Sequence, residues 1–373
     1  MILSLTIILG LFGPAAATAL EDLPYDARGL LSGLFEQGYG IGYVLAAAFY
    51  RALVPTTRHG WRSLFWFGAA PPILIIAFLW YLPETNNFQV VKAERMARYK
   101  ERQPENGQPT DGFGTFLKTA GTTFCDNWAL LVYMAILMSL FSFCSHGSQD
   151  FYPTFLKTQA NLSATKSTLV MIIGQLGAII GGILIGYIST FLGRRLAMLC
   201  ACMMGAAVVP GFILPRGMSL AAGLFFEQML VGGAWGPIPI HLVELSPATL
   251  RSLSVGITAQ LGNLASSASA TIQSTIAQGY PLPPTAAWKQ RYDYGRVITI
   301  FLEIAWAATF LIVLVGPEMS QEERDEEAEA ASYIERLRQT GVNISEIQDR
   351  QKGVMVEECE LGGDNKVVIE HVK

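Results

Sequence analysis

The chain is built of apolar runs of about 20 residues, the length a helix needs to cross the hydrocarbon core of a bilayer. They lie at about 2–20, 29–50, 61–82, 129–152, 168–190, 196–214, 219–242, 253–277 and 295–316. In lipid every backbone N–H and C=O must find its partner inside the structure, which leaves only helices and closed barrels. Runs this long without strict alternation predict helices. The expected fold class is therefore all-α and multi-pass transmembrane. Composition agrees, with 51% of residues hydrophobic and 15% charged, where soluble domains carry about 25% charged residues.

Polar side chains inside such runs become the informative ones. The run that opens at Ala129 leads into residues 141–154, FSFCSHGSQDFYPT. A helix through it stacks Ser142, His146 and Asp150 at i, i+4 and i+8 on one face. An imidazole and a carboxylate one turn apart at membrane depth are costly unless they face a cavity or a partner, so the column reads as a site. The alternative reading ends the span near Phe143 and leaves the pair at headgroup level. Glu36, Glu227 and Glu303 are the other acidic residues within the runs, suited equally to proton transfer and to a bond with a neighbouring helix. Gln260 and Asn263 stand at i, i+3, with Ser267 one turn on, and serve either a ligand or interhelical contact. The Ser-rich stretch 266–274 reads as close helix packing.

The organisation follows from composition. Residues 1–85 hold about three spans, 86–127 form a polar linker with Lys92, Arg95, Arg98, Lys100, Arg102 and Lys118, 128–318 hold six spans, and 319–373 are an acidic, solvated tail. Gly236-Pro237-Ile238-Pro239 is expected to break one span. Glu21-x-x-Pro24-x-x-x-Arg28 recurs with the same spacing as Glu244-x-x-Pro247-x-x-x-Arg251, and each copy precedes two spans and a Pro-Glu, at Pro83-Glu84 and Pro317-Glu318. A parallel repeat of this kind is a transporter signature. Four spans precede the motif in the second block and only one, interrupted by Gly13-Pro14, in the first, so three spans are expected to be missing from the N-terminus. The chain alone is then expected to insert poorly, with Glu36 turned to lipid, and to take up no acid until three spans are added.

Several classes of function are set aside on the same grounds. A net charge of −4 gives no basis for a nucleic-acid partner, and five cysteines without a CxxC pair imply neither a disulfide framework nor a metal site. No nucleophile-and-oxyanion constellation points to an enzyme. No cofactor is implied. Of the 26 Lys and Arg residues, 17 fall in the linker, the tail and the loops on their side, which makes that side cytoplasmic by the positive-inside rule. Asn161-Leu162-Ser163, on the other side, has the form of a glycosylation acceptor.

These motifs resemble a known family. Gly186, Gly193, Arg194 and Arg195, spaced G-x6-G-R-R after the second span of the second block, are similar to a loop of the major facilitator superfamily, with Thr190 where that loop usually has Asp. Ser145, His146, Ser148, Gln149, Asp150 and Thr154 match the central motif of the fungal monocarboxylate permeases, with Ser142 in place of its Asn. The stretches ALEDLPYDARG from Ala19, HGWRSLFWFGAAPP from His59 and QLGNLASSASATIQ from Gln260 resemble the same family. The resemblance implies a twelve-helix fold whose first six-helix bundle is incomplete here, in the plasma membrane, importing lactate, pyruvate or acetate with a proton. It also implies that Gln260 and Asn263 take part in substrate selection.

The residues support that class. An unpaired carboxylate in low dielectric is heavily penalised, so a small acid needs donors and preferably a cation. No Lys or Arg falls in the middle of a span, and a histidine beside a carboxylate suits the carriage of a proton near neutral pH. The candidate pathway is thus Glu36, Ser142, Ser145, His146, Ser148, Gln149, Asp150, Gln260 and Asn263. Glu21, Arg28, Gly186, Gly193, Arg194, Arg195, Glu244 and Arg251 are structural loop positions. A non-transporting relic or nutrient sensor of the same fold is the alternative.

Overall fold

The computed structural model describes residues 12–20, 25–81, 114, 121–122, 124–246, 251–284 and 290–317. The start of the first run, Glu21, Pro24, Pro83-Glu84, nearly all of the 86–127 linker, Pro247, Glu318 and the 319–373 tail lie outside the described residues. The chain divides into two compact units, residues 1–76 with 110–319, and 77–109 with 320–373. Of the second, only residues 77–81 are described, the end of one helix.

Each apolar run forms helix wherever it is described. In order these are α1 (Phe12–Leu20), α2 (Tyr25–Leu53), α3 (Arg62–Tyr81), α4 (Trp128–Gln149), α5 (Tyr152–Thr158), α6 (Ala164–Leu192) and α7 (Arg194–Ile213). A short 3-10 turn (Gly217–Ser219) leads to α8 (Leu220–Trp235), α9 (Ile238–Leu245), α10 (Arg251–Ser266), α11 (Ser269–Ala277) and α12 (Tyr294–Val315). Beside the helices the described residues hold one two-residue antiparallel pair, Pro281–Leu282 with Arg291–Tyr292. Among the described residues four helices are long and apolar enough to cross a membrane: Trp128–Thr158, taken through its bend, α6, α7 and α12. The protein is an all-α, multi-pass membrane protein.

The predicted break at 236–239 divides α8 from α9. Pro237 and Pro239 lack the N–H groups that would bond Gly233 and Trp235, so the helix cannot run through. α4 gives way to α5 at Asp150-Phe151, with Pro153 in the first turn of α5, where a missing N–H costs nothing. α3 is apolar on every side, with Phe65, Trp66, Ile73 and Ile76 more than 60% exposed, which is the surface of a helix solvated by lipid. Phe67 on α3 meets Phe49 on α2 with ring centroids 4.1 Å apart.

α6 is the axis of the packing, with α2 along one flank and α8 along the other. Both contacts depend on glycine. A Cβ on Gly33 of α2 would strike the Gly182 carbonyl of α6 and stand 3.2 Å from Ile183 Cα, and one on Gly177 would come within 3.0 Å of the Phe225 backbone of α8. Small residues let helix backbones approach where lipid supplies no hydrophobic drive between them. α10 packs on α4, α12 on α4 and α7, and α1 on α10. Met134, Leu137, Phe141, Tyr152, Phe212, Leu224 and Trp306, each at most 1% exposed, fill the space between.

Candidate binding cavity

A cavity of about 690 Å³ opens between α1 and α2 on one side and α4, α6, α8 and α10 on the other. α4 runs on to Gln149 rather than ending near Phe143, and its last two turns form one wall. Ser142, Ser145, His146, Gln149 and Asp150 line it from that wall. The His146 Nδ1 lies 2.9 Å from the Asp150 Oδ2, with the two side chains 32% and 43% exposed. The Asp150 N–H still bonds the His146 carbonyl at 3.0 Å, which holds the carboxylate one turn beyond the ring.

Gln260, Asn263 and Ser267 line the cavity from α10, as their i, i+3, i+7 spacing predicts. Glu36 lines it from α2, whose rotation is set by the glycine contact with α6. The structure thus brings eight of the nine candidate pathway residues to one space. Ser148 is the exception. It is fully buried behind the wall, where it donates to the Ser145 carbonyl at 3.0 Å and accepts from Gln228 Nε2 at 2.9 Å.

That bond belongs to a network the sequence reading missed. Gln149 Nε2 donates to Gln228 Oε1 at 2.8 Å, Tyr39 OH donates to Gln149 Oε1 at 3.3 Å, and Trp235 Nε1 donates to Ser145 Oγ at 2.5 Å. Polar networks in low dielectric fix side chains when fully satisfied, and this one holds the α4 wall rigid against α8 and α2. Gln37, Gln175 and Trp235 also line the cavity. Gln175 was legible as the lone amide in the apolar run 168–190. Trp235 reads like any other apolar residue of its span. Among the described residues, Glu36 Oε2, Ser142 Oγ and Gln175 Oε1 are buried without a hydrogen-bond partner, and all three residues line the cavity. Unsatisfied buried oxygens at a cavity wall are the positions a bound polar group would fill.

The remaining acids lie elsewhere. Glu227 is fully buried within the second block and its Oε1 accepts from Trp306 Nε1 at 3.0 Å. Neither it nor Glu303 lines the cavity.

The loop motifs meet one another. Arg194, at the start of α7, pairs with Glu244, near the end of α9, at 3.4 Å, with the two side chains 1% and 4% exposed. Arg194 also donates to Ser189 Oγ at 3.1 Å, and Arg195 donates to the Val313 carbonyl at the end of α12 at 2.8 Å. Gly193 holds a φ of +89° between α6 and α7, a backbone state that side chains rarely adopt. Gly186 lies against Gly29 and Gly33. Arg28 is in the first turn of α2 and Arg251 opens α10, matching places in the repeat.

Residues 10–329 match the profile of a family described as Sugar (and other) transporter. The chain belongs to this transporter family. The family lies within the major facilitator superfamily, as the loop motif implies, and is one of carriers and not of enzymes. This family member is 35% identical over 349 residues to a carboxylic acid transporter protein homolog of Saccharomyces cerevisiae, covering 92% of the chain and 57% of that relative. It is 23% identical to a cis,cis-muconate transport protein of Acinetobacter baylyi, covering 69% of the chain and 60% of the relative. A niacin transporter from the same bacterium is also 23% identical, over 83% of the chain and 71% of its own length. The chain thus spans little more than half of the first two relatives.

Proposed function

We propose that the chain forms part of a proton-coupled carrier of short-chain monocarboxylic acids, of the lactate, pyruvate or acetate type, working by alternating access about this cavity. One observation carries the reading: an imidazole–carboxylate pair and several amides line a space that has no Lys or Arg among its described lining residues. As His⁺ and Asp⁻ the pair is neutral overall. One added proton leaves it with net positive charge, and an incoming carboxylate cancels that charge. Either ligand alone would leave an uncompensated charge in low dielectric, so proton and anion bind together. Gln149, Gln175, Gln260 and Asn263 supply the side-chain dipoles around the anion. A carboxylic acid substrate accords with the names of the yeast and muconate relatives. The positive-inside count places the linker and tail in the cytoplasm, and import of an external acid places the carrier in the plasma membrane.

The test is uptake of labelled lactate at matched anion concentration, at about pH 5 and about pH 7 to vary the proton supply, with and without a protonophore. Because the chain spans 57% of the yeast relative, it is measured both alone and preceded by that relative's N-terminal helices. The reading expects faster uptake at the lower pH, abolished by the protonophore. Saturable lactate binding without uptake in either form would favour a sensor, and protonophore-indifferent uptake would end the symport reading.

A further inference from the structure

We propose that Ser32 is a positioning residue of this carrier, a clasp between the first block and the broken turn of the second that is released as the carrier changes face. The inference rests on the alternating-access reading above, and on no particular substrate. In an unbroken helix the Ile240 N–H would bond the Gly236 carbonyl, four residues back. That bond is not made here. The Ser32 hydroxyl of α2 stands between the two groups, donating to the Gly236 carbonyl at 2.8 Å and accepting from the Ile240 N–H at 3.2 Å. Its neighbours in the turn are paired in the ordinary way, Gly236 N–H to Gly232 and His241 N–H to Pro237, each at 3.0 Å.

Ser32 is fully buried, and the residue before this turn, Trp235, lines the cavity. The clasp therefore sets the turn that carries a cavity side chain from an element of the other block. It is also a bond that can be exchanged at little cost. When Ser32 withdraws, Ile240 N–H and Gly236 C=O can close on each other, and a helical serine can back-bond to the carbonyl four residues earlier, here Arg28. No buried backbone group is stranded in either state, which is the condition for a contact that breaks and re-forms. The Arg194–Glu244 pair differs because both partners lie in the second block, so it does not have to part.

Thr190 provides a reporter. Its Oγ1 is buried without a partner on the seam where α2 meets α6, beside Gly29. In purified protein without ligand, Thr190→Cys is treated with N-ethylmaleimide and followed by mass spectrometry of its own peptide, with exposed Cys125 as the reference. Ser32→Ala should raise the rate at residue 190 about fivefold to tenfold, the shift in open-to-closed ratio from one hydrogen bond lost by one state. Ser32→Thr, which keeps the hydroxyl, should restore it. Deuterium uptake at Ile240 should stay near that of the parent, because its N–H passes to Gly236. An unchanged rate at residue 190, or faster exchange at Ile240 alone, would make the hydroxyl a local patch on a broken helix and overturn the proposal. Since no ligand is used, this outcome is independent of whether lactate is the substrate.

Discussion

Breaking the Arg194–Glu244 pair tests how the loop motifs hold the second block together. At 3.4 Å the Coulomb attraction at an effective dielectric of about 20 is about 5 kcal/mol. Removing two ions from water costs several kcal/mol each, so the net worth of the pair is far smaller than that attraction. Removing one partner is another matter. Glu244→Leu removes this carboxylate from the Arg194 guanidinium, 1% exposed, and breaking a buried pair from one side costs about 3–5 kcal/mol. Arg194→Met should cost a similar amount by leaving the carboxylate. The double variant replaces both ions with apolar groups of similar volume and should fall well short of the sum of the singles. The assay is reversible unfolding in mixed detergent micelles, read by tryptophan fluorescence, for the parent, both singles and the double. A coupling energy below about 0.5 kcal/mol would be additive within error and would refute the pair as a structural unit.

Two further outcomes use the same assay. Gly177→Ala, whose Cβ would meet the Phe225 backbone, should cost about 1–3 kcal/mol through overpacking, whereas Gly42→Ala, with open space around it, should be neutral or stabilising by up to about 1 kcal/mol. Trp306→Phe removes the donor to Glu227 at 3.0 Å and should cost about 1–3 kcal/mol. Adding Glu227→Leu to it should recover most of that, since replacing both partners strands neither.

The helices were legible because lipid permits so few structures: the described runs are helical, and the break at 236–239 falls where Pro237 and Pro239, two residues apart, each remove a donor. The column Ser142, His146, Asp150 and the pair Gln260, Asn263 were legible by helical spacing, since polar groups within apolar runs have few places to go. Ser148 and Gln149 are adjacent, of similar polarity and both bonded to Gln228, yet the helix turn between neighbouring residues puts one behind the wall and the other on it. Tyr39, Trp235 and Ser32 were missed because each acts across helices distant in sequence. Ser32 binds groups 204 and 208 residues away, and a lone serine in a glycine-rich span carries no local sign of such a partner. Glu36 stands on the cavity side because the rotation of α2 is set by Gly29 and Gly33 against α6.

The central claim is that His146 and Asp150 carry the proton and receive the acid. Its most direct test is protonophore-sensitive lactate uptake by His146→Ala and Asp150→Asn, at matched surface abundance, in the version preceded by the relative's N-terminal helices. Both variants should lose protonophore-sensitive uptake: His146→Ala removes the cation that receives the carboxylate, and Asp150→Asn is fixed in the neutral form of the acid and cannot take up or release the coupled proton. Uptake at the parent rate in either one would remove the pair from the mechanism and contradict the account.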